Sequence, residues 1–213
     1  MRKSEHTMPS SADEPAARNV SPDALRPHVG GKRILVGVTG GIAAYKTATL
    51  VSRLAQAGAE VTVLMTPAAT KFVTPLTFQA LSARPVYTSS WEHIESQDPQ
   101  HISLASSADL AVVAPCSMDS MAKLVGGHTD DVVTLALSAI DRRKTPVLLA
   151  PAMNSVMWQQ ASTQRNAATL VADGFELIGP GDGWQACREV GTGRMVEPET
   201  LLAAIFDRLA KRA

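Results

Sequence analysis

Aromatic side chains make up only 4% of the 213 residues, and cysteine occurs twice, as Cys116 and Cys187. So few aromatics leave the core to Ala, Val, Leu and Ile. Such residues suit close helix-on-sheet packing and offer poor stacking platforms for nucleic-acid bases. Two cysteines make neither a disulfide framework nor a four-cysteine zinc site. Lys plus Arg equals Asp plus Glu, 20 each, so no net field draws the chain to phosphate backbones or anionic membranes. No apolar run reaches the roughly 18 residues of a membrane span. Arg2 and Lys3 are not followed by the apolar segment of a secretory leader. A cytoplasmic protein is the expectation.

What is present fits one soluble domain, with 45% hydrophobic and 19% charged residues. Residues 1–30 are rich in Pro, Ser, Ala and charge and read as a mobile N-terminal extension. Residues 31–213 read as the domain. Arg33 to Val38 is a short, nearly continuous apolar run, as expected of a strand covered on both faces. Glu60 to Met65, Leu110 to Ala114, Pro146 to Ala150 and Phe175 to Ile178 resemble it. Helical stretches lie between. Ile42 to Ala57 puts Ala43, Thr47, Leu50, Leu54 and Ala57 on one stripe, with Gly58 as a stop. Thr74-Pro75 reads as the cap and first residue of another helix. Asp130 to Ala139, Ser155 to Ala172 and Glu199 to Lys211 also read as helices. Strands alternating with helices over short connections predict an α/β fold with a doubly wound parallel sheet. Ligands of such sheets sit beyond the carboxyl ends of the strands, where the strand order reverses.

The residues after each strand therefore carry the chemistry. Thr39-Gly40-Gly41-Ile42-Ala43-Ala44 turns sharply into a helix whose first N–H groups face an anion or nothing at all. It is neither a GxGxxG fingerprint nor a Walker loop. Ser117, Asp119 and Ser120 follow the third run, fit to hold a phosphate, a ribityl chain or the helix end. Asn154 follows the fourth, with two N–H donors for a carboxylate and a carbonyl for capping. Gly181 to Met195 holds four glycines within 13 residues and reads as a flexible loop. Cys187 lies inside it, a candidate for proton or thiol chemistry. Cys116, beside an apolar strand, reads as packing. His101 precedes the third run and is a surface residue or a catalytic one.

Four motifs, in order, resemble the homo-oligomeric flavin-containing Cys decarboxylases: Gly40 through Lys46, His101-Ile102-x-Leu104, Pro151-Ala152-Met153-Asn154 with Met157-Trp158, and Ala186-Cys187 with Gly191-x-Gly193-Arg194-Met195. The resemblance covers about residues 32 to 210. It implies a flavodoxin-like fold binding FMN at a subunit interface, in a homotrimer or a dodecamer of trimers. It implies FMN contacts at Gly40, Gly41, Ile42, Thr66, Pro67, Ala68, Ser117, Met118, Asp119, Ser120 and Ala152. It makes His101 the catalytic histidine and Asn154 the carboxylate binder. Cys187 becomes the proton donor, and Ala186 and Met195 substrate-clamp contacts. The implied activity is decarboxylation of 4′-phosphopantothenoylcysteine in coenzyme A synthesis, through a thioaldehyde that serves as the electron sink. Two positions depart from the family: Arg188-Glu189 replaces the usual Gly-Asp, and Gly41 stands where Ser is frequent. A peptidyl-cysteine decarboxylase or a flavin prenyltransferase would share the fold without needing the clamp cysteine. A non-catalytic regulatory flavoprotein would not need both His101 and Cys187. The chain's end soon after Leu209 leads us to expect a monofunctional enzyme, without the fused synthetase of many relatives.

Overall fold

The apolar runs form one parallel sheet, because each is apolar on both sides and needs cover on both faces. The computed structural model describes residues 22–91 and 100–211. In chain order its elements are α1 (Pro22–Val29), β1 (Arg33–Val38), α2 (Ala44–Gln56), β2 (Glu60–Met65), α3 (Pro75–Ser82), β3 (Val86–Tyr87), α4 (Gln100–Ser107) and β4 (Leu110–Cys116). Then follow α5 (Met118–Gly126), α6 (Val132–Ser138), β5 (Val147–Pro151), α7 (Ser155–Gln159), α8 (Ala161–Ala172), β6 (Glu176–Leu177) and α9 (Pro198–Ala210).

The sheet order is β3-β2-β1-β4-β5-β6. Apart from the two-residue β3, the five expected strands lie in the 2-1-3-4-5 order of flavodoxin-like sheets. β1 pairs in parallel with β2, from Arg33 opposite Glu60 to Val38 opposite Met65, and with β4, from Ile34 opposite Leu110 to Gly37 opposite Val113. The order therefore reverses between β1 and β4. Alternation along β1 feeds two cores. Ile34, Val36 and Val38 pack with Leu50 and Leu54 of α2 and Leu201 and Ile205 of α9. Leu35 belongs to the other face, with Val133 and Leu137 of α6 and Leu170 of α8.

Four features differ from the sequence reading. The segment read as an extension contains α1. Its Val29 is fully buried, its His28 ring meets Phe206 of α9 edge-on at 4.3 Å, and Arg26 Nη2 donates to Gln56 O at 3.3 Å. Residues 1–21 lie outside the described residues. β3 is too short for a run of apolar residues to announce it. α4 buries Gln100 and Ala105, too little for an apolar stripe. The helix expected over 155–172 breaks at Gln160, whose backbone is extended at φ −56° and ψ 135°. Beyond the break, Thr163 Oγ1 and Gln164 Nε2 turn back to the carbonyls of Met157 and Trp158 that close α7.

Candidate active site

At the reversal point, side-chain bonds lock the turns together. Thr39 is fully buried; its hydroxyl donates to Pro115 O at 2.8 Å and accepts from Ser117 N at 2.9 Å. This joins the turn after β1 to the turn after β4. Gly40 presses against the turn after β2, where a Cβ on it would stand 2.6 Å from Ala68 Cβ. No side chain caps α2, and the first amide bonded back along its opening turn is that of Ala44, to Gly41 O. The amides of Gly41, Ile42 and Ala43 come before that bond, which is the anion-binding arrangement of a helix start. Ser117 caps α5, accepting from Ser120 N at 3.2 Å, and its hydroxyl meets that of Ser120 at 3.0 Å. Thr66 Oγ1 accepts from Ala69 N at 3.2 Å.

Beyond β5, Asn154 does the capping job its sequence allowed and keeps its amide nitrogen for another partner. Asn154 caps α7 through Oδ1, which accepts from Val156 N at 2.8 Å. That leaves Nδ2 pointing at the segment after β6, 3.3 Å from Cys187 Sγ and 3.5 Å from Glu189 Oε2.

The segment expected as a flexible loop contains no strand, but it folds back on itself as a hairpin tied by two isolated antiparallel bridges, Gly181 to Arg194 and Trp184 to Val190. Gly181 N donates to Arg194 O at 2.8 Å, Gly183 and Gly191 exchange bonds at 3.2 and 3.1 Å, and Gln185 N donates to Glu189 O at 2.8 Å. Its tip is a three-residue loop, Ala186-Cys187-Arg188, closed by Arg188 N to Gln185 O at 2.9 Å. Such a loop sets a type I turn and then a left-handed residue, and Arg188 is left-handed at φ +68°. The hairpin docks through Met153 N to Gly193 O at 2.8 Å. A Cβ at Gly193 would come within 2.4 Å of Met153 O, so glycine serves close approach there.

These turns enclose a cavity of about 840 Å³. Gly40, Gly41, Ile42, Thr66, Pro67, Ala68, Ser117, Met118, Asp119, Ser120, Ala152, Asn154, Ala186, Cys187 and Met195 all line it. His101 does not. It lies at the start of α4, which runs back to the amino end of β4, so it stands at the carboxyl edge of the sheet outside this cavity.

Sequence reasoning gave no role to Lys46, Lys123, Gln185 or Arg194, which also line the cavity. Lys46 lies in the first motif; its Nζ, almost buried, donates to Met195 O at 3.1 Å and Glu197 Oε1 at 2.9 Å, and Arg194 pairs with the same carboxylate. Lys123 meets Asp119, Asp130 and Asp131 at 3.5, 3.0 and 3.4 Å, a cluster that only folding assembles. Its hydrogen bond to Asp130 holds the ammonium above its usual pKa and the Asp130 carboxyl below its own. The two cysteines differ as expected. Cys116 is fully buried, which pushes its thiol up to about 12, whereas Cys187 is exposed.

A doubly wound sheet with glycine-rich and hydroxyl-lined turns around a cavity at its reversal point defines a protein of the mononucleotide-binding class. The chain belongs to the Flavoprotein family, whose model matches residues 24–210. It is 46% identical over 182 residues to the coenzyme A biosynthesis bifunctional protein CoaBC of Haemophilus influenzae, covering 85% of this chain and 45% of that one. The chain thus spans about half the length of the curated relatives it matches. Among solved structures it resembles a cysteine-to-serine mutant of a PPC decarboxylase complexed with pantothenoylaminoethenethiol, at 32% identity and a TM-score of 0.75 over 86% of this chain and 100% of that one. It also resembles the FMN binding protein AtHal3, at 30% identity and a TM-score of 0.76 over 85% and 98%. The family expected from the four motifs is the one found. Among the described residues no helix is long and apolar enough to cross a membrane.

Proposed function

We propose that the protein decarboxylates 4′-phosphopantothenoylcysteine to 4′-phosphopantetheine with FMN, a step of coenzyme A synthesis, working as a homotrimer or a dodecamer of trimers. The observation that carries this reading is the pair Asn154 and Cys187, 3.3 Å apart on the cavity wall. Loss of carbon dioxide followed by protonation needs a carboxylate binder and a proton donor side by side. The Asn154 amide binds a carboxylate without adding a charge that would hold the product, and Cys187 carries the proton. Ala186 and Met195, the proposed clamp contacts, line the same cavity. The similar PPC decarboxylase supports this division of labour, since its cysteine-to-serine mutant is complexed with an ethenethiol.

The cavity suits FMN. Its volume is that of a cofactor pocket. The opening amides of α2 and the hydroxyls of Ser117 and Ser120 suit a phosphate and a polyol. Gly40 and Ala68 press the floor too tightly for larger side chains, and Ile42, Met118 and Ala152 offer apolar walls. At Gly41 the nearest atom to an added Cβ is Pro115 Cγ at 3.7 Å, so the frequent Ser of relatives has room, and its loss removes a hydroxyl only. When bound, FMN supplies the two-electron oxidation that makes the carboxylate labile and returns the electrons afterwards.

His101 serves the cavity of a neighbouring copy in this reading, since it lies at the right edge of the sheet and outside its own cavity. Exposed Ile42 and Tyr45, beside the cavity mouth, support an assembly that covers them. The test is a panel of phosphopantothenoylcysteine, a peptide with C-terminal cysteine and a prenyl donor with free flavin, read by carbon dioxide release and mass spectrometry. Turnover of the first alone supports the proposal. Turnover of either of the others alone replaces it.

A further inference from the structure

Gln185 is 7% exposed, although Trp184 before it and Ala186 to Val190 after it are all exposed. A polar side chain buried in an exposed arm needs both ends of its amide satisfied. Oε1 accepts from Ser155 N at 3.1 Å and from Cys187 Sγ at 3.5 Å, and Nε2 donates to Gly191 O at 3.2 Å. One amide thus touches the first residue of α7, the thiol and the returning strand of the hairpin. Ser155 follows Asn154, so this contact fixes the hairpin relative to the Asn154 amide.

We infer that Gln185 is the positioning residue of the hairpin: its amide latches the tip onto the start of α7 and so sets the Cys187 thiol against Asn154. This rests on the roles proposed above for Asn154 and Cys187. Asn154 holds its own place through the bond from Val156 N, so release of the latch displaces the thiol and leaves the carboxylate binder. Carbon dioxide should then still leave, while protonation falters. The product that escapes is the ethenethiol form. It lacks two electrons, which stay with the reduced flavin, and two protons, one of them the proton on Cys187.

The test uses the full-length, FMN-loaded protein with Gln185→Met, which keeps the length of the buried chain and removes its hydrogen bonds. A second variant, Gln185→Asn, stays polar and is one methylene too short to span the contacts. In a single turnover of 4′-phosphopantothenoylcysteine, the ratio of the product two hydrogens lighter to the saturated product should rise about tenfold, the size implied by losing such bonds. Carbon dioxide release should stay within about threefold of wild type. Amide hydrogen exchange across residues 183–193 should quicken about tenfold in the same samples. In a Cys187→Ser background, Gln185→Met should leave the product ratio unchanged, because the two act through one thiol. An unchanged product ratio in both single variants, or an additive effect in the double variant, overturns the inference. If wild-type protein releases no carbon dioxide, the proposed function falls. Hydrogen exchange then decides the latch alone: quickening supports it and unchanged exchange overturns it.

Discussion

Asn154→Asp separates the chemistry of one residue from its structural duty. Oδ1 caps α7 by accepting from Val156 N at 2.8 Å, and an Asp oxygen caps as well as an Asn oxygen. Folding should be untouched, with the melting midpoint within about 2 °C of wild type. The change falls on the other atom. Nδ2 becomes a carboxylate oxygen where the proposed substrate presents its own carboxylate. Two unit charges about 4 Å apart repel by about 1 kcal/mol in bulk water and about 4 kcal/mol at an effective dielectric of 20. Asn154 is half-buried, between those limits. With the lost donated bond, the penalty is about 3 kcal/mol, or roughly a hundredfold in substrate affinity. Glu189 Oε2, 3.5 Å from the same atom, adds to the negative charge at that point. The measurement is binding of phosphopantothenoylcysteine to the FMN-loaded variant, with a melt and a flavin spectrum on the same sample. Unchanged affinity in a folded, yellow variant refutes the assignment of Asn154 to the substrate carboxylate. Asn154→Ala is the control, since losing the cap costs about 1 kcal/mol of stability as well.

Cys187→Ser should still release carbon dioxide and should accumulate the product two hydrogens lighter in single-turnover mass spectrometry; normal saturated product at an ordinary rate would remove Cys187 as proton donor. His101→Asn should abolish carbon dioxide release while FMN stays bound. If His101 serves a neighbour, co-assembly of His101→Asn with Cys187→Ser chains should restore intact sites at about a quarter of positions by random pairing; no recovery in a verified mixed assembly would count against the shared site. Iodoacetamide at neutral pH should label Cys187 and spare Cys116 until the chain unfolds. The Cys116 thiol is raised to about 12 in the fold, so the unfolded chain loses that proton first as pH climbs past about 9. Stability should therefore fall above that pH, by about 1.4 kcal/mol per pH unit from this group alone; an unchanged denaturation midpoint in Cys116→Ala across the same range, matched by an equally flat wild type, would show that burial does not hold the proton.

The sheet was legible because parallel strands buried on both faces leave near-continuous apolar runs, as in β1, β2, β4 and β5; the short β6 was legible through the apolar residues Phe175 and Ile178 that flank it. The turns that line the cavity were legible for a related reason: topology fixes where they fall, so reading the residues after each run located Gly40, Ser117 and Asn154 together. Elements with little buried surface were not. β3 has two residues, and α4 buries Gln100 and Ala105 only. α1 hid in a Pro- and Ser-rich stretch because what holds it, Val29 and the His28 contact with Phe206, depends on α9 at the far end of the chain. Lys123 and Gln185 escaped notice because a decisive partner of each, Asp131 for the first and Ser155 for the second, belongs to another segment.

The glycines of the hairpin do separate jobs. Gly193 is there because a Cβ would strike Met153 O, and backbone bonds tie the arm at Gly181, Gly183 and Gln185. Where the tip geometry does ask for glycine, this chain has arginine. Arg188 sits at φ +68° as the last residue of the three-residue loop, which costs a non-glycine residue about 1–2 kcal/mol. The bonds from Arg188 N to Gln185 O and from Gln185 N to Glu189 O hold that geometry from both sides. The strain is therefore stored at the one turn that carries Cys187, and the buried Gln185 amide sits directly beneath it. Arg188→Gly should release this strain and stabilise the closed hairpin by about 1 kcal/mol, seen as slower hydrogen exchange over residues 183–193. Faster exchange would mean that the arginine side chain itself holds the turn, and that the departure from the family's glycine adds a contact.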